Sequence, residues 1–333
     1  MLESVMKAFI TGSTGFVGTH LVSLLQREPS VKKVICLVRS PSKARERLGS
    51  FGKVELLPGD LEHLPELPED TDLLFHLAGV TKALARDDYE RFNSLSLIPL
   101  LERASTLRNL KRFVLVSSLA AAGPSQPGRP LDEEAVPNPV SLYGRSKRSG
   151  ELRALSYAER LPLTILRPPS VYGEWDTDFP VTFRMLKRGL ALNLVYGSSE
   201  RRVSLISADD LSRAILHFAF LPLRSGEIFH LGEPREYLWN EVEEAVFRFF
   251  HVNRPFRLTL PKPLGYGAAL FASLGERLSG QAKIFSLHKL PELLQPCWTS
   301  PWQKAAKTGF LTRDSFPERV QTLLAWYVQR GWL

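Results

Sequence analysis

The first half of the chain alternates short apolar runs with stretches of helical periodicity, and this alternation restricts the fold more than any other feature. Nearly continuous apolar strands joined by helices form parallel sheets that are covered on both faces. Their crossover connections are right-handed, which favours a doubly wound sheet. The sequence therefore predicts an α/β fold with strands at 7–11, 33–38, 53–57, 72–78, 112–118 and 163–168, and helices at 15–28, 88–107 and 141–160.

After residue 168 the elements become shorter, and proline, glycine and aromatic residues become more frequent. The stretch 201–220 again resembles a strand followed by a helix, and the tail from about 232 is mostly helical in pattern. We predict a main domain at 1–168, to which 203–231 returns. A smaller mixed α/β domain from 169–202 and 232–333 would bind the substrate.

The 333 residues carry a net charge of +8, but the basic residues are scattered and form no long block. Nucleic acid is therefore not an expected partner, and a small anionic ligand needs only a local basic cluster. No cluster with metal-ligand spacing stands out, so no metal is expected. The two cysteines, Cys36 and Cys297, indicate no disulfide framework and fit a reducing cytoplasm.

The stretch that comes nearest to a membrane-spanning helix is "PLGYGAALFASLG" at 263–275. It is shorter than the ~20 residues that a membrane-spanning helix needs, so no membrane span is expected. A buried helix is the main interpretation of this stretch, and contact with a membrane is the alternative.

Three glycines at intervals of three, Gly12, Gly15 and Gly18, separate the first strand from the first helix in "TGSTGFVG". A glycine in the first position suits a tight turn, the second lets backbone approach a ligand, and the third allows close packing of helix on strand. The helix N-terminus then presents free N–H groups and partial positive charge to an anion. Because the turn opens a βαβ unit, it predicts binding of a dinucleotide pyrophosphate by a Rossmann-type sheet.

The pattern G-x-x-G-x-x-G resembles the glycine motif of the extended branch of the short-chain dehydrogenase/reductase superfamily, which includes the epimerase/dehydratase type. Further resemblances follow each strand: "GDL" (59–61), "HLAG" (76–79), "FN" (92–93), "VSS" (116–118), "YGRSK" (143–147) and "RPPSVYG" (167–173). They extend to "ADDLSRAI" (208–215) and "KAAKTGF" (304–310) and are weakest at 232–300. The resemblance implies the cofactor-binding residues Gly12, Thr14, Gly15, Phe16, Val17, Gly18, Asp60, Leu61, Ala78, Gly79, Tyr143, Lys147, Pro168 and Ser170.

The residue after the second strand bears on the choice of cofactor. Enzymes that use NAD usually place an acidic residue there to accept the ribose hydroxyls, but this chain has Arg39, which can only donate. Lys43 adds a second positive charge nearby. Both suit a 2′-phosphate, so NADP(H) is the preferred cofactor and NAD(H) the alternative.

The catalytic residues implied by the resemblance are Ser118, Tyr143 and Lys147. Tyr143 and Lys147 share one helical face, since they are four residues apart. A neighbouring ammonium group favours the phenolate of tyrosine, whose ordinary pKa of ~10 is too high for a base near neutral pH. Tyr143 would be the general acid in reduction and the general base in oxidation, with Ser118 next to the substrate oxygen and Ser117 structural.

Three functions remain open. The leading one is reduction of a carbonyl, or oxidation of the alcohol, in an apolar or ring-containing substrate, as in dihydroflavonol reductases and 3β-hydroxysteroid dehydrogenases. The second is epimerisation of a nucleotide sugar with a tightly held cofactor, and the third is a cofactor-binding sensor or assembly factor without catalysis. Leu119 and Ala120 occupy the positions where sugar 4,6-dehydratases carry Asp and Glu, which argues against dehydration.

The residue expected to hold a sugar diphosphate also departs from the family pattern. Counting seven back from Asp210 gives Val203, with Arg202 one residue away, and only a bulge would bring Arg202 to that face. We expect the substrate to be lined by 80–88, 119–128, 172–200 and 261–290. Apolar positions on the helices at 88–107 and 141–160 further predict a homodimer.

Overall fold

The computed structural model describes residues 5–49, 52–197, 200–279 and 287–333, without the side chains of 271, 272 and 274–279. Its strands are β1 Met6–Thr11, β2 Val31–Val38, β3 Val54–Pro58, β4 Leu73–His76, β5 Arg112–Val116, β6 Leu163–Arg167, β7 Ser170–Tyr172, β8 Leu190–Leu194, β9 Arg202–Val203, β10 Leu205–Ser207, β11 Glu227–His230, β12 Tyr237–Leu238, β13 Phe256–Leu260 and β14 Cys297–Trp298. Its helices are α1 Phe16–Arg27, α2 Pro41–Leu48, α3 Arg86–Asn93, α4 Ile98–Ala104, α5 Leu142–Leu155, α6 Phe179–Lys187, α7 Ala208–Phe220, α8 Trp239–Phe249, α9 Lys262–Ser279, α10 Leu290–Leu293, α11 Gln303–Ala306 and α12 Phe316–Gln329.

Seven strands form one parallel sheet in the order β11-β6-β5-β4-β1-β2-β3. Six of them are the predicted strands, and β11 adds a seventh beside β6. The predicted doubly wound, Rossmann-type fold is confirmed. The sheet reverses its strand order between β1 and β4, and ligands of such sheets bind beyond the carboxyl ends of the strands near that point.

Apolar side chains cover both faces of the sheet. On one face, Leu21 and Leu25 of α1 and Leu211 of α7 are buried against the strands. On the other face, Leu100 of α4 and Ala154 of α5 pack against apolar side chains of the central strands. Burial on both faces explains why the strands are apolar throughout instead of alternating with polar residues.

The single helix predicted at 88–107 is wrong, because the chain forms α3, a 3-10 turn at Leu95–Leu97 and then α4. Pro99 lies in the first turn of α4 and has no N–H to donate to a carbonyl one turn earlier. A new helix can begin at a proline, but a continuous helix cannot pass through it without losing that hydrogen bond.

A second apolar core lies outside the large sheet. It joins α6, α8 and α12 through buried residues such as Phe183, Val246 and Leu324. A two-stranded parallel sheet of β8 and β13 and a three-stranded sheet of β12, β9 and β14 belong to this part of the chain. The domain boundaries drawn from the sequence stay a prediction.

The stretch 263–275 lies in α9 but is not the buried helix that was expected. Gly265 and Ala269 face the protein, whereas Leu264 and Leu270 are more than half exposed. Among the residues that the structure describes, no helix is both long and apolar enough to cross a membrane. Cys36 and Cys297 are buried and form no disulfide, as expected. The cytoplasmic location of the protein stays a prediction.

Candidate active site

The glycine turn holds β1, β4 and α1 at distances that exclude a side chain at two of its three glycines. Gly12 has a φ of +76°, and a Cβ built on it would lie 2.6 Å from the amide nitrogen of Ala78. A Cβ on Gly18 would lie 2.1 Å from the carbonyl oxygen of Gly12. Close packing therefore requires glycine at both positions.

Gly15 differs from its two neighbours, because a Cβ there would meet only the oxygen of Gly12, at 3.2 Å. Gly15 is the N-cap of α1, no side chain caps the helix, and its first turn contains no acidic residue. Thr14 and Gly15 are exposed, and Phe16 and Val17 begin the helix. The turn therefore has the open, uncapped helix N-terminus that a dinucleotide pyrophosphate requires, and these residues fit the cofactor.

Further predicted cofactor residues lie at the carboxyl ends of β2 and β3. Arg39 directly follows β2 and Lys43 lies on α2, both with exposed side chains. Beyond β3, Asp60 accepts hydrogen bonds from the backbone N–H groups of Glu62 and His63 at 2.9 and 2.7 Å, and the latter bond lowers its pKa most. Leu61 follows Asp60 in the same loop and is partly buried.

Asn93 fixes the loop that follows β4. Its side chain exchanges hydrogen bonds with the backbone of Val80, at 2.8 and 2.9 Å, and donates to the Ser146 hydroxyl at 2.9 Å. A Cβ on Gly79 would lie 2.7 Å from the Asn93 oxygen and 3.9 Å from Nζ of Lys147. The structure thus brings Ala78 and Gly79 next to the helix that carries Tyr143 and Lys147.

Two glycines bring α5 close to its neighbours. A Cβ on Gly144 would lie 2.4 Å from the carbonyl oxygen of Ala120, in the turn that follows β5. A Cβ on Gly150 would lie 2.4 Å from the carbonyl oxygen of Asn93. Helix α5 therefore presents Tyr143 to the end of β5, where Ser118 lies.

Ser118, Tyr143 and Lys147 meet at this edge of the sheet, as predicted. The Ser118 hydroxyl accepts a hydrogen bond from the backbone N–H of Ala120 at 3.1 Å and lies within hydrogen-bonding reach of Tyr143. Lys147 is buried and donates to the carbonyl oxygen of Val116 at 2.9 Å. Burial lowers the pKa of Lys147 to about 8, against the attraction of Glu151.

The cation facing the ring of Tyr143 was not found from the sequence. Nζ of Lys289 lies 4.4 Å from the ring centroid and 2.8 Å from a carboxylate oxygen of Glu292. Burial alone would lower the pKa of Lys289, but Glu292 holds it above its ordinary value. The other carboxylate oxygen of Glu292 accepts a hydrogen bond from Ser141, the N-cap of α5.

Burial raises the pKa of Tyr143 above its ordinary value. The Lys289 charge and the hydrogen bond from Ser118 act in the opposite direction, while Glu292 and Asp178 add to the rise. The charge that most favours the phenolate in this structure is therefore Lys289, whereas the sequence pointed to Lys147. The 280–286 part of the predicted lining segment 261–290 falls outside the described residues, as do 198–199 in 172–200.

Ser117 has the structural position predicted for it. Its hydroxyl donates to Glu151 of α5 at 2.5 Å. Arg167 of β6 forms a bidentate ion pair with the same carboxylate, with N···O distances of 2.8 and 2.7 Å. Glu151 and Arg167 are both almost completely buried. Beyond them, the Arg167 guanidinium contacts the imidazole of His230 on β11 at 3.3 Å. This network fastens α5 to the sheet behind the site.

The remaining predicted contacts lie just beyond β6. The carbonyl oxygen of Pro168 accepts a hydrogen bond from the backbone N–H of Leu119 at 2.8 Å, which joins this segment to the Ser118 turn. Ser170 begins β7 and is exposed. Taken together, the predicted cofactor residues line the carboxyl ends of β1 to β6, and the three predicted catalytic residues lie together at one point along that edge.

Comparison with known proteins agrees with this geometry. The model of the NAD-dependent epimerase/dehydratase family matches residues 8–232. The chain belongs to that family. It is an enzyme of the NAD(P)-dependent, extended short-chain dehydrogenase/reductase type, as the glycine turn and the later motifs indicated.

Family members similar to this chain include both reductases and epimerases. The ceramide reductase of Caulobacter vibrioides is 30% identical over 335 residues, covering 97% of this chain and 95% of the relative. A Stigmatella aurantiaca ketoreductase of a 3-oxo-4-farnesyl-dihydroquinoline oxide is 33% identical over 182 residues, covering 52% of this chain and 53% of that one. The UDP-glucuronic acid 4-epimerase of Bacillus cereus, in complex with UDP-glucuronic acid and NAD, shares the fold, with a TM-score of 0.76, 18% identity and coverage of 98% and 100%.

Two features of the sequence that argue against a sugar-nucleotide reaction can be located in the structure. Leu119 and Ala120, which follow Ser118 and carry neither an acid nor a base, are buried. Val203 is buried in the second core, whereas Arg202 is exposed. Both residues of β9 pair with β12 on one side and with β14 on the other.

Proposed function

We propose that the protein is an NADP(H)-dependent oxidoreductase that reduces the carbonyl group of an apolar substrate, or oxidises the corresponding alcohol. The observation that carries this proposal is the convergence of Ser118, Tyr143 and Lys147 at the carboxyl end of β5. The burial of Val203, where a sugar diphosphate would need an arginine, supports it over a sugar-nucleotide reaction.

In the direction of reduction, Tyr143 donates its phenolic proton to the substrate oxygen. A nicotinamide cofactor held by the glycine turn would supply the hydride for the carbonyl carbon, so that the π bond of the C=O group is replaced by a C–H and an O–H bond and the C–O single bond remains. Ser118 orients the substrate oxygen by hydrogen bonding. Lys289 and Lys147 are the nearby ammonium groups available to stabilise the phenolate that remains, which then takes a proton from solvent.

We propose NADP(H) as the cofactor because Arg39 and Lys43 lie exposed where β2 ends and α2 begins. Neither residue can accept a hydrogen bond from a ribose hydroxyl, and both can bind a phosphate. The family description and the Bacillus cereus epimerase name NAD, so NAD(H) is the alternative. We propose the other residues inferred from the sequence as cofactor-binding residues too.

The substrate class is proposed to be an apolar ketone, and a lipid in particular. The ceramide reductase relative covers nearly the whole chain, and its printed name supports a lipid. Two pairs of oppositely charged side chains lie near Tyr143: Lys289 with Glu292 at 2.8 Å, and Lys82 with Asp178 at 2.5 Å. This arrangement suits a substrate without a diphosphate better than one that must bind a free cation.

A stoichiometric assay tests the proposed function. Purified protein should oxidise one NADPH per carbonyl group reduced, measured at 340 nm together with the alcohol formed, and long-chain ketones should be better substrates than short ones. Epimerisation of a UDP-sugar with catalytic cofactor and no net change at 340 nm would overturn the reductase proposal and establish the alternative. Absence of any turnover with bound cofactor would support the sensor or assembly factor.

We also propose a homodimer through the surface of α3, α4 and α5. Leu95 and Leu152 are large apolar residues on this surface, 45% and 53% exposed. Exposed apolar side chains on adjacent helices are typical of a surface that is covered by a second copy. Light scattering at micromolar concentration should give twice the chain mass, and Leu152→Glu should give the monomer.

A further inference from the structure

The small sheet of β8 and β13 carries apolar side chains on the face that points away from the protein. Burial alternates along the first part of β8, where Leu190 and Leu192 are exposed and Ala191 is buried. The register pairs Leu190 with Phe256 and Leu192 with Leu258, and Phe256 is 63% exposed. Polar residues normally occupy the solvent face of a strand pair, so four adjacent apolar residues indicate a surface that contacts something.

Helix α9 extends this surface directly after β13. Gly265 and Ala269 face inward, and a Cβ on Gly265 would lie 3.2 Å from the side chain of Leu194. Leu264, Tyr266 and Leu270 project outward, with 58%, 46% and 52% of their surface exposed. The helix is therefore apolar on its outer side as well as on its inner side, which is the pattern of a helix with two apolar environments.

Charges around the β8–β13–α9 surface have one sign. The segments 179–197 and 252–270 contain six basic residues and no aspartate or glutamate. All six are exposed, and for five of them the structure gives no carboxylate partner among the residues it describes: Arg184, Lys187, Arg188, Arg254 and Lys262. Arg257 is the exception, since Glu243 and Glu244 of α8 pair with it.

We propose that the β8–β13–α9 surface docks on a bilayer that contains anionic lipids. Leucine and phenylalanine side chains would enter the interface, Tyr266 would lie at the headgroup level, and Arg188, Arg254 and Lys262 would contact lipid phosphates. A second copy of this chain would bring the same unpaired cations to the contact, so a symmetric interface is opposed by repulsion between like charges. An anionic bilayer complements both the apolar residues and the charge.

The docking surface adjoins the candidate active site. Leu194 of β8, Ala269 of α9 and Leu290 form one buried apolar cluster, and Leu290 follows Lys289, which lies over the ring of Tyr143. If the proposed function holds, a lipid ketone would reach Tyr143 from the bilayer side. Docking itself is tested without substrate, so its failure and the failure of the proposed function are distinguishable.

Vesicle flotation of the full chain is the experiment. The protein should float with phosphatidylcholine vesicles containing phosphatidylglycerol, and binding should fall at least ~10-fold in pure phosphatidylcholine or in 0.5 M salt. Phe256→Glu with Leu264→Glu should reduce flotation at least ~10-fold, whereas Val136→Glu, at an apolar residue that is 88% exposed in another part of the chain, should leave it unchanged. Circular dichroism and thermal unfolding of each variant separate loss of docking from loss of folding.

The same experiment can overturn the proposal. Failure of the folded wild-type protein to float with either vesicle would do so, as would equal flotation of the double glutamate variant. Light scattering without vesicles supplies the remaining outcome: a change from dimer to monomer in the double variant would show that a second copy covers this surface. If the double variant does not fold, Arg254→Glu with Lys262→Glu replaces it, with the same expected loss and the same overturning results.

Discussion

The glycines of the nucleotide-binding turn and those of α9 occupy opposite packing environments. At Gly12 and Gly18, backbone atoms lie within 3 Å of where a side chain would begin. Among the described residues outside the helix's own backbone, nothing lies within 4 Å of the same point at Gly267, and a flexible leucine side chain alone is near Gly265. The close backbone packing of the turn fixes the geometry of the proposed cofactor site. The glycines of α9 lie on a loosely packed helix that has unoccupied space beside them. This contrast indicates which parts of the chain a substitution can change without loss of the fold.

The largest expected effect distinguishes two tyrosines, Tyr143 in the candidate active site and Tyr266 on α9. Tyr143→Phe should lower the turnover number at least ~10²-fold, the lower end for general acid–base catalysis, because it removes the proton donor. Cofactor affinity, measured by calorimetry, should change little. Tyr266→Phe, on the exposed side of α9, is the matched control and should keep full activity on a water-soluble ketone. Equal activities of the two variants would remove Tyr143 from the mechanism.

The second effect concerns the glycines themselves. Gly18→Ala should lower the free energy of unfolding by about 2–3 kcal/mol, since the new methyl group meets backbone that has no room to move. Gly267→Ala should raise it by up to ~1 kcal/mol, because alanine in a helix interior loses less conformational entropy on folding than glycine. Urea denaturation with equal m-values would measure both. A similar loss of stability in both variants would contradict the contrast in packing.

The third effect is a change of cofactor preference. Wild-type protein should bind NADP(H) at least tenfold more tightly than NAD(H), which corresponds to ~1.4 kcal/mol, and Arg39→Asp should abolish or reverse this difference. Arg254→Asp makes the same change of charge on the β8–β13–α9 surface and should not alter the ratio of the NADP(H) and NAD(H) affinities. Calorimetric titrations that give equal affinities for the wild-type protein would refute the assignment of Arg39.

The smallest effect is a shift in pH dependence. Lys289→Met removes a charge that lowers the pKa of Tyr143, so that pKa should rise further. Alcohol oxidation needs the phenolate, and its rate should therefore begin to rise at a higher pH than in the wild type. Carbonyl reduction needs the protonated form and should persist to higher pH. At pH 7 the change in reduction rate should be less than ~10-fold.

Lys289→Arg keeps the positive charge and is the control for Lys289→Met. Glu292 and Asp178, the carboxylates that raise the Tyr143 pKa, remain in both variants. The arginine variant should restore the wild-type pH profile. Identical profiles for the methionine variant and the wild type would show that Lys289 only supports packing.

The strands of the large sheet could be predicted well, because each one appears as a short apolar run within its own segment of the sequence. The apolar runs are mostly buried on both faces, except in the edge strand β3, and all six strands could be placed to within a few residues of their observed ends. The helix at 88–107 was too long because apolar periodicity continues across Ser94, although Pro99 restarts the helix. Strands β8 and β13 were missed because each is stabilised mainly by a partner far along the chain, which no local pattern shows.

Most of the candidate site could also be predicted, again because its residues belong to short local patterns. Ser118, Tyr143 and Lys147 occur in short motifs that can be found along the chain. Lys289 carries no motif, and it lies over the Tyr143 ring in a segment whose Glu292 accepts a hydrogen bond from Ser141, the N-cap of α5. The pairing of lysine and glutamate three residues apart on a predicted helix was the one local signal, and it is common on protein surfaces.

The buried pair of Glu151 and Arg167 has a consequence for how the family can diverge. Loss of Glu151 alone leaves the buried Arg167 guanidinium without its carboxylate, at a cost of about 3–5 kcal/mol, whereas exchange of both for apolar residues of similar volume is often neutral. Loss of Arg167 leaves Glu151 paired only with the partly exposed Arg148. The Ser117 hydroxyl would lose its acceptor when Glu151 changes, and His230 would lose one of its contacts when Arg167 changes. Divergence at this pair without loss of stability therefore needs changes on both α5 and β6. The exposed side chains of β8, β13 and α9 carry no such constraint from the interior, so single substitutions there can alter docking while the fold is kept.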